Sequence, residues 1–366
     1  MKTLYLVAGA RPNFMKIAPL VRALRARGAS LDFKIIHTGQ HYDRDLNEVF
    51  FDELGIPAPD VSLGAGSGSH AQQTAKIMIG FEEACRINRP DCVLVVGDVN
   101  STLACSIVAK KLCIPVAHVE AGLRSGDMTM PEEVNRIVTD AISDFLFVTE
   151  PSGVTNLRNE GKPAARIHHV GHVMVDNLLY QHDRLAAADT STYESSGLKS
   201  RFSAYGAVTL HRPSNVDTRD ALERVGATLR NVAQRIPLVF PVHPRTRANL
   251  DKFSISLGDQ VVLTRPLPYM DFLNLWKDAK FVLTDSGGLQ EETTALGVPC
   301  VTVRENTERP ITVEQGTNVL AGTDPEKVRI EAFKILEGRG KPGQRPDLWD
   351  GKAAERIVTI LARDLA

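Results

Sequence analysis

The sequence predicts an α/β protein of two doubly wound Rossmann-like domains facing across a cleft. Three observations predict it. Short apolar runs bounded by Pro, Gly or Asp recur along the chain, as strands buried on both faces of a parallel sheet require. Segments with apolar residues at helical spacing separate most of them. The alternation holds from Leu4 to Val170, lapses, and restarts at Ala207. With 366 residues the chain is long enough for two domains, each with its own core.

In the first half, residues 4–8 read as a buried strand and 16–27 as a helix, with Ile17, Leu20, Val21 and Leu24 on one face. Residues 33–37, 92–96, 116–119, 145–148 and 167–170 read as further strands. Pro131 opens a helix whose apolar face is Val134, Ile137, Val138 and Ala141. A less apolar stretch, 181–203, is rich in Ala, Asp and Ser and mixes helix with linker. In the second half the strands are 207–210, 238–241, 261–263, 281–284 and 300–303, with helices at 219–235 and 324–336. The expected division is a first domain over 1–175, a linker region over 176–203 and a second domain over 204–346. A C-terminal helix in 347–366 is expected to pack back on the first domain. No repeat and no low-complexity segment is visible.

Composition narrows the partners. Charged residues make up 24% and the net charge is −1, so nothing points to nucleic acid or an anionic membrane surface. No apolar run nears the ~18 residues of a membrane span. The opening "MKTLYLVAGARPNF" has too short an apolar core for a signal peptide and reads as a strand. The five cysteines, Cys85, Cys92, Cys105, Cys113 and Cys300, form no CxxC pair. An odd number without such a pair fits packed, inert thiols in a reducing, cytoplasmic compartment better than disulfides or zinc.

The chemistry collects where strands end. "GARPNFMK" carries Arg11 and Lys16, "GDVNST" carries Asp98, and "EAGLRSGD" carries Glu120 and Arg124. "PEEVNR" opens a helix with Glu132 and Glu133; "HRPSN" carries His211 and Arg212, and "PVHPRTR" carries His243 and Arg245. Each alone has a plain reading as a cap, a dipole partner or a solvated side chain. Their joint placement at strand ends of both halves marks an active cleft, because ligands of open α/β sheets bind beyond the carboxyl ends of the strands.

"VLTDSGGLQEETT" adds a phosphate reading. Glycines at a strand-to-helix turn let a phosphate approach open backbone N–H groups, and the helix N-terminus favours negative charge. Glu292, six residues beyond Ser286, is placed to accept both hydroxyls of a ribose. Arg309 in "ENTERP" adds positive charge for a diphosphate. The patterns GxxxxGK[ST] and GxGxxG are absent, which argues against a P-loop kinase or an NAD enzyme.

The motif series resembles the non-hydrolysing UDP-N-acetylglucosamine 2-epimerases, a family with a two-domain glycosyltransferase-B-like (GT-B-like) fold. The resemblance covers nearly the whole chain. It rests on "GARPNFMKIAPL", "TGQHYD", "GDVNSTLA", "HVEAGLRSGD", "MPEEVNR", "TLHRPSNVD", "PVHPRT", "TDSGGLQEET" and "ENTERP". It implies interconversion of UDP-GlcNAc and UDP-ManNAc through a 2-acetamidoglucal, without metal or other cofactor, by a homodimer feeding surface polysaccharide synthesis. By that resemblance Asp98, Glu120 and Glu132 are the essential carboxylates and His211 the essential histidine near the leaving diphosphate. Arg11 and Lys16 contact phosphate and sugar. Ser286, Gly287 and Gly288 form the phosphate turn, Glu292 anchors the ribose and Arg309 contacts the diphosphate. Phe272 forms a wall of the uracil site, although an ordinary core aromatic would look the same in sequence. Gln40, Arg212 and His243 resemble positions of a second, regulatory UDP-GlcNAc site.

Two motifs depart from the commonest forms: "GARPN" stands for "GTRPE" and "HRPSN" for "HRxEN", placing Asn13 and Ser214 at the Glu positions. These departures leave open a 2-epimerase of a modified UDP-sugar, such as a UDP-diacetamido-uronic acid, with altered sugar contacts near Asn13 and Ser214. A GT-B glycosyltransferase, a hydrolysing epimerase and a nucleotide-sugar-binding regulator are weaker alternatives.

Overall fold

The computed structural model describes residues 1–28, 31–39 and 48–365. The chain divides into two units, Met1–Asn177 with Asp347–Ala366, and Leu178–Pro346. Gln40 and part of "TGQHYD" lie outside the described residues.

The first unit runs β1 (Lys2–Ala8), α1 (Arg11–Arg27), β2 (Leu31–His37), α2 (Glu48–Leu54), β3 (Val61–Ser62), α3 (His70–Ile87) and β4 (Cys92–Val96). It continues with α4 (Asn100–Lys111), β5 (Val116–Val119), α5 (Pro131–Ile142), β6 (Phe145–Val148), α6 (Pro151–Asn159) and β7 (Ile167–His169). The strands form one sheet in the order β3-β2-β1-β4-β5-β6-β7, all parallel. Leu4, Leu6 and Ala8 pack on the α1 side with Phe14, Ile17 and Val21. Tyr5 and Val7 face Ile77 and Phe81 of α3 and Cys105 of α4. Side chains of one strand alternate between two cores, so the buried run Leu4–Ala8 carries no charged residue.

The second unit begins within α7 (Val173–Ala187) and continues with α8 (Glu194–Lys199), β8 (Gly206–Thr209), α9 (Pro213–Val216), α10 (Arg219–Ala233) and β9 (Leu238–Pro241). Next come α11 (Pro244–Phe253), β10 (Val261–Thr264), α12 (Tyr269–Trp276), β11 (Val282–Thr284) and α13 (Gly287–Leu296). The unit closes with β12 (Cys300–Thr302), α14 (Pro310–Glu314), β13 (Asn318–Leu320) and α15 (Pro325–Leu336). Its sheet order is β10-β9-β8-β11-β12-β13, again all parallel.

Several expectations need correcting. The first helix begins at Arg11 rather than at residue 16. Pro12 has no N–H to leave unpaired in the first turn, and Asn13 Oδ1 accepts from the N–H groups of Gly9 (3.1 Å) and Ala10 (3.0 Å). The edge strands β3 and β13 are not legible in the sequence, since two or three residues show no period. Within 181–203, α7 runs to Ala187 and α8 covers Glu194–Lys199, with no helix between them; Asp271 of α12 pins α8 by accepting from Glu194 N (3.1 Å) and Ser195 N (2.9 Å). Four cysteines are buried, but Cys113 is exposed.

The last helix, α16 (Ala353–Asp364), belongs to the first unit. Ile357, Val358 and Leu361 enter the α1 core, and the Trp349 indole donates to Thr149 O (3.2 Å). Asp176 caps the helix, accepting from Ala353 N (3.2 Å) and Ala354 N (2.7 Å). Burial pushes the Asp176 carboxyl up to about 6, from an ordinary 3.8. A raised folded-state pKa means that its stabilisation is fully present below 3.8 and fades as pH rises through about 6. Asp176→Ala should therefore destabilise more at pH 5 than at pH 8, the difference being roughly 1–3 kcal/mol. Urea unfolding at the two pH values checks this; an equal loss at both would contradict it.

Candidate active site

Each sheet reverses its order once, between β1 and β4 in the first unit and between β8 and β11 in the second. Ligand crevices of open parallel sheets lie at such reversals. Just beyond these four strands, β1, β4, β8 and β11, stand Arg11 at the start of α1 and Asp98, His211 and Ser286 in loops.

In the first unit two of the three candidate carboxylates, Glu120 and Asp98, are held by cations. Glu120 follows β5 with φ 74, a left-handed conformation that a glutamate seldom adopts. It is 4% exposed, and Lys16 Nζ donates to its Oε2 at 2.5 Å. Gly97 makes room for that contact: a Cβ there would stand 2.8 Å from Lys16 Nζ. Asp98 follows Gly97 and is reached by Arg136 of α5. Nε (3.0 Å) and a terminal nitrogen (2.6 Å) both donate to Asp98 Oδ2. Asn135 Nδ2 donates to the Asp98 carbonyl (2.8 Å).

The two glutamates that open α5 part company. Glu133 is buried and accepts from Ser125 N (3.0 Å), Gly126 N (2.9 Å) and Arg136 (2.6 Å). Burial alone would raise it, but these N–H groups and the guanidinium hold it below the usual carboxylate range. Glu133 thus shapes the loop. Glu132 is half-buried with no hydrogen bond among the described residues. Asn13 is tied to the backbone. Its Oδ1 serves two backbone N–H groups and its Nδ2 donates to Val96 O (3.3 Å). At 2% exposure, both Oδ1 and Nδ2 are engaged by the backbone, which fixes Asn13 at the start of α1.

In the second unit a buried aspartate organises the site. Asp285 ends β11 at 0% exposure. Its carboxylate accepts from the N–H groups of His211 (3.1 Å) and Arg212 (2.9 Å) and from Asn215 Nδ2 (3.0 Å). The His211 ring Nδ1 lies 3.2 Å from the same carboxylate, so Asp285 fixes both the loop and the imidazole. In the sequence, only its place just before the glycine turn marks Asp285.

Gly287 and Gly288 open α13. Neither has a positive φ. A Cβ at Gly288 would meet nothing within 4 Å, and one at Gly287 only Glu308 Oε2 at 3.9 Å. Among the described residues, neither conformation nor packing calls for glycine here. Glu292 lies on the same helix and accepts from Tyr269 O–H at 3.1 Å. Burial pushes its carboxyl up to about 7, opposed by that hydrogen bond and aided by the Glu291 charge. Arg309 forms an ion pair with Glu291. Burial would raise Glu308, but the two-pronged contact from Arg304 (2.9 and 3.0 Å) holds it at about 2.

Phe272 is not a core aromatic. With His211, His243, Pro266 and Leu267 it lines a cavity of ≈ 180 Å³. His243 caps α11, its Nδ1 accepting from Arg245 N (3.3 Å). Arg212 Nε donates to the Asp285 carbonyl (3.0 Å), and its guanidinium approaches Glu308 at 3.5 Å. Among the described residues no group of three or more His, Cys, Asp or Glu is placed to hold a metal ion, and no helix is long and apolar enough to cross a membrane.

Two parallel units of this strand order make the chain an α/β protein of the GT-B-like class. The family model for UDP-N-acetylglucosamine 2-epimerase matches residues 22–362. A UDP-N-acetylglucosamine 2-epimerase of Methanocaldococcus jannaschii is 40% identical over 364 residues, 98% of each chain. A UDP-2,3-diacetamido-2,3-dideoxy-D-glucuronate 2-epimerase of Pseudomonas aeruginosa is 39% identical over 366 residues, covering 99% of this chain and 100% of that one. The crystal structure of the M. jannaschii UDP-GlcNAc 2-epimerase in complex with UDP-GlcNAc and UDP superposes with a TM-score of 0.86 at 39% identity over 99% of both chains. The chain belongs to the UDP-N-acetylglucosamine 2-epimerase family and is an isomerase.

Proposed function

We propose that the chain interconverts UDP-N-acetylglucosamine and UDP-N-acetylmannosamine by eliminating and re-adding UDP. The observation that carries the reading is a pair of carboxylates held by cations at adjacent strand ends, Asp98 on Arg136 and Glu120 on Lys16, in one unit. Epimerisation at C2 needs a base on one face of the sugar and an acid on the other. A carboxylate takes the C2 proton as the C1–O bond to UDP breaks, leaving a 2-acetamidoglucal. Re-addition of UDP at C1 then draws a proton to C2 from the opposite face. Asp98, Glu120 and Glu132 are the groups for these transfers. The diphosphate, which takes up the electron pair, is held at the turn of Ser286, Gly287 and Gly288, with His211 and the arginines Arg11 and Arg309 in support. Phe272 stacks on the uracil, and Glu292 accepts the ribose hydroxyls. Arg212, His243 and Gln40 remain candidates for a regulatory UDP-GlcNAc site.

A second reading, a 2-epimerase of a UDP-diacetamido-uronic acid, is favoured by the P. aeruginosa relative, whose identity equals that of the M. jannaschii one to within one percentage point. Turnover of both UDP-sugars side by side decides between them: the proposal expects the higher kcat/KM with UDP-GlcNAc. The same proposal takes the enzyme to be a cytoplasmic homodimer supplying ManNAc units to polysaccharide synthesis.

Glu292 gives a pH signature. A carboxylate near 7 must ionise to accept two hydroxyls. UDP affinity should therefore rise about 10-fold from pH 6 to pH 8, with proton release on binding. Calorimetry of Glu292→Gln in parallel removes the contribution of the nucleotide's own phosphate; equal pH profiles for the two proteins would contradict the ribose assignment.

A further inference from the structure

A polar chain with a fully buried centre adjoins Asp98 and Glu120. His118, on β5, and Asp140, on α5, are each 0% exposed. His118 Nδ1 lies 2.6 Å from Asp140 Oδ1, and Nε2 lies 2.8 Å from the carbonyl oxygen of Gly97. The second oxygen of Asp140 accepts from Gly122 N (3.0 Å) and Arg124 (2.8 Å). Arg124 in turn donates twice to Glu160, at 2.8 Å each.

Both nitrogens of the His118 ring face acceptors. A carbonyl oxygen has no proton to give. Asp140 Oδ2 already takes the Gly122 N–H and the Arg124 guanidinium, partners that favour the carboxylate form, so Oδ1 accepts as well. A ring that donates from both nitrogens is an imidazolium. With that charge the cluster holds two cations, His118 and Arg124, against two anions, Asp140 and Glu160. Without it, Arg124 alone would face two carboxylates, Asp140 in the core and Glu160 at the surface.

The anchored atoms explain such a costly arrangement. Gly97 O belongs to the peptide that leads into Asp98. Gly122 N lies two residues beyond Glu120, whose left-handed φ of 74 persists only if the backbone on both sides is fixed. His118 itself lies two residues before Glu120.

We propose that the His118–Asp140–Arg124 cluster is a charged clamp that positions Asp98 and Glu120 for proton transfer. His118 and Asp140 are positioning residues and touch no substrate. The functional part of this inference rests on the epimerase reading; the protonation of the ring does not.

The test has two arms. In the first, wild-type protein with ¹⁵N-labelled histidine rings is observed by NMR, with His118 assigned through its contacts to Gly97. Protons on both ring nitrogens are expected; a single N–H overturns the clamp. In the second, UDP-GlcNAc kinetics are measured for His118→Asn, whose shorter side chain cannot span the two acceptors, and for Asp140→Asn. A loss in kcat on the order of 10²-fold is expected, with KM and UDP affinity unchanged, because small misplacements of acid–base groups cost that much. A folded variant with lowered melting temperature and wild-type kcat overturns the positioning role. If the wild-type protein turns over no UDP-sugar, the epimerase reading fails, while the NMR arm still decides the state of the ring.

Discussion

Glu120→Gln should retain UDP and lose turnover by about 10²–10⁴-fold, the contribution typical of a positioned acid–base group. Gln keeps the shape and the burial but can neither take nor give a proton at this position. The Lys16 ion pair goes with the charge, leaving a half-buried ammonium without its 2.5 Å partner. UDP affinity should hold, since the proposed nucleotide contacts at Ser286–Gly288 and Glu292 belong to the other unit. Glu120→Gly is the informative control. Glycine accepts φ 74 without strain, so a folded but inactive protein assigns the loss to the carboxylate rather than to the backbone. Asp98→Asn should behave like Glu120→Gln. Unchanged rates in both would remove these carboxylates from the chemistry.

Gly288→Ala should leave the fold intact or slightly more stable and weaken UDP binding roughly 10–100-fold. The structure has space for the methyl group, with no atom within 4 Å of the Cβ. Ala is favoured over Gly in a helix by about 0.5–1 kcal/mol. A phosphate seated on the α13 N-terminus would meet that methyl group and lose charge-assisted hydrogen bonds worth ~1.5–3 kcal/mol each. Stability and affinity thus move in opposite directions, which no packing defect would produce. Thermal melting and calorimetry with UDP check both; unaltered affinity would show that the diphosphate is held elsewhere.

Much of the fold was legible because parallel strands buried on both faces leave an uninterrupted apolar signal, as in Cys92–Val96. The strands that escaped, β3 and β13, are too short for any periodicity. The site was legible as residue types at strand ends. Its wiring was not, because the partners are distant in sequence: Arg136 lies 38 residues from Asp98, and Asp285 lies 74 from His211. Adjacent Glu132 and Glu133 look alike in sequence; only packing shows that one tethers a loop. Asn13 is a further case. A motif position suggested sugar contacts nearby, while the three backbone hydrogen bonds that hold it at the start of α1 are invisible in the sequence.

The central claim is that the enzyme breaks and remakes the C2–H bond. Proton NMR of the purified protein with UDP-GlcNAc in D₂O tests it most directly. The account predicts that UDP-ManNAc appears with deuterium at C2 and that residual UDP-GlcNAc acquires the same label. UDP-ManNAc formed with its C2 proton retained, or UDP-GlcNAc left unchanged by a protein that binds UDP, would contradict it.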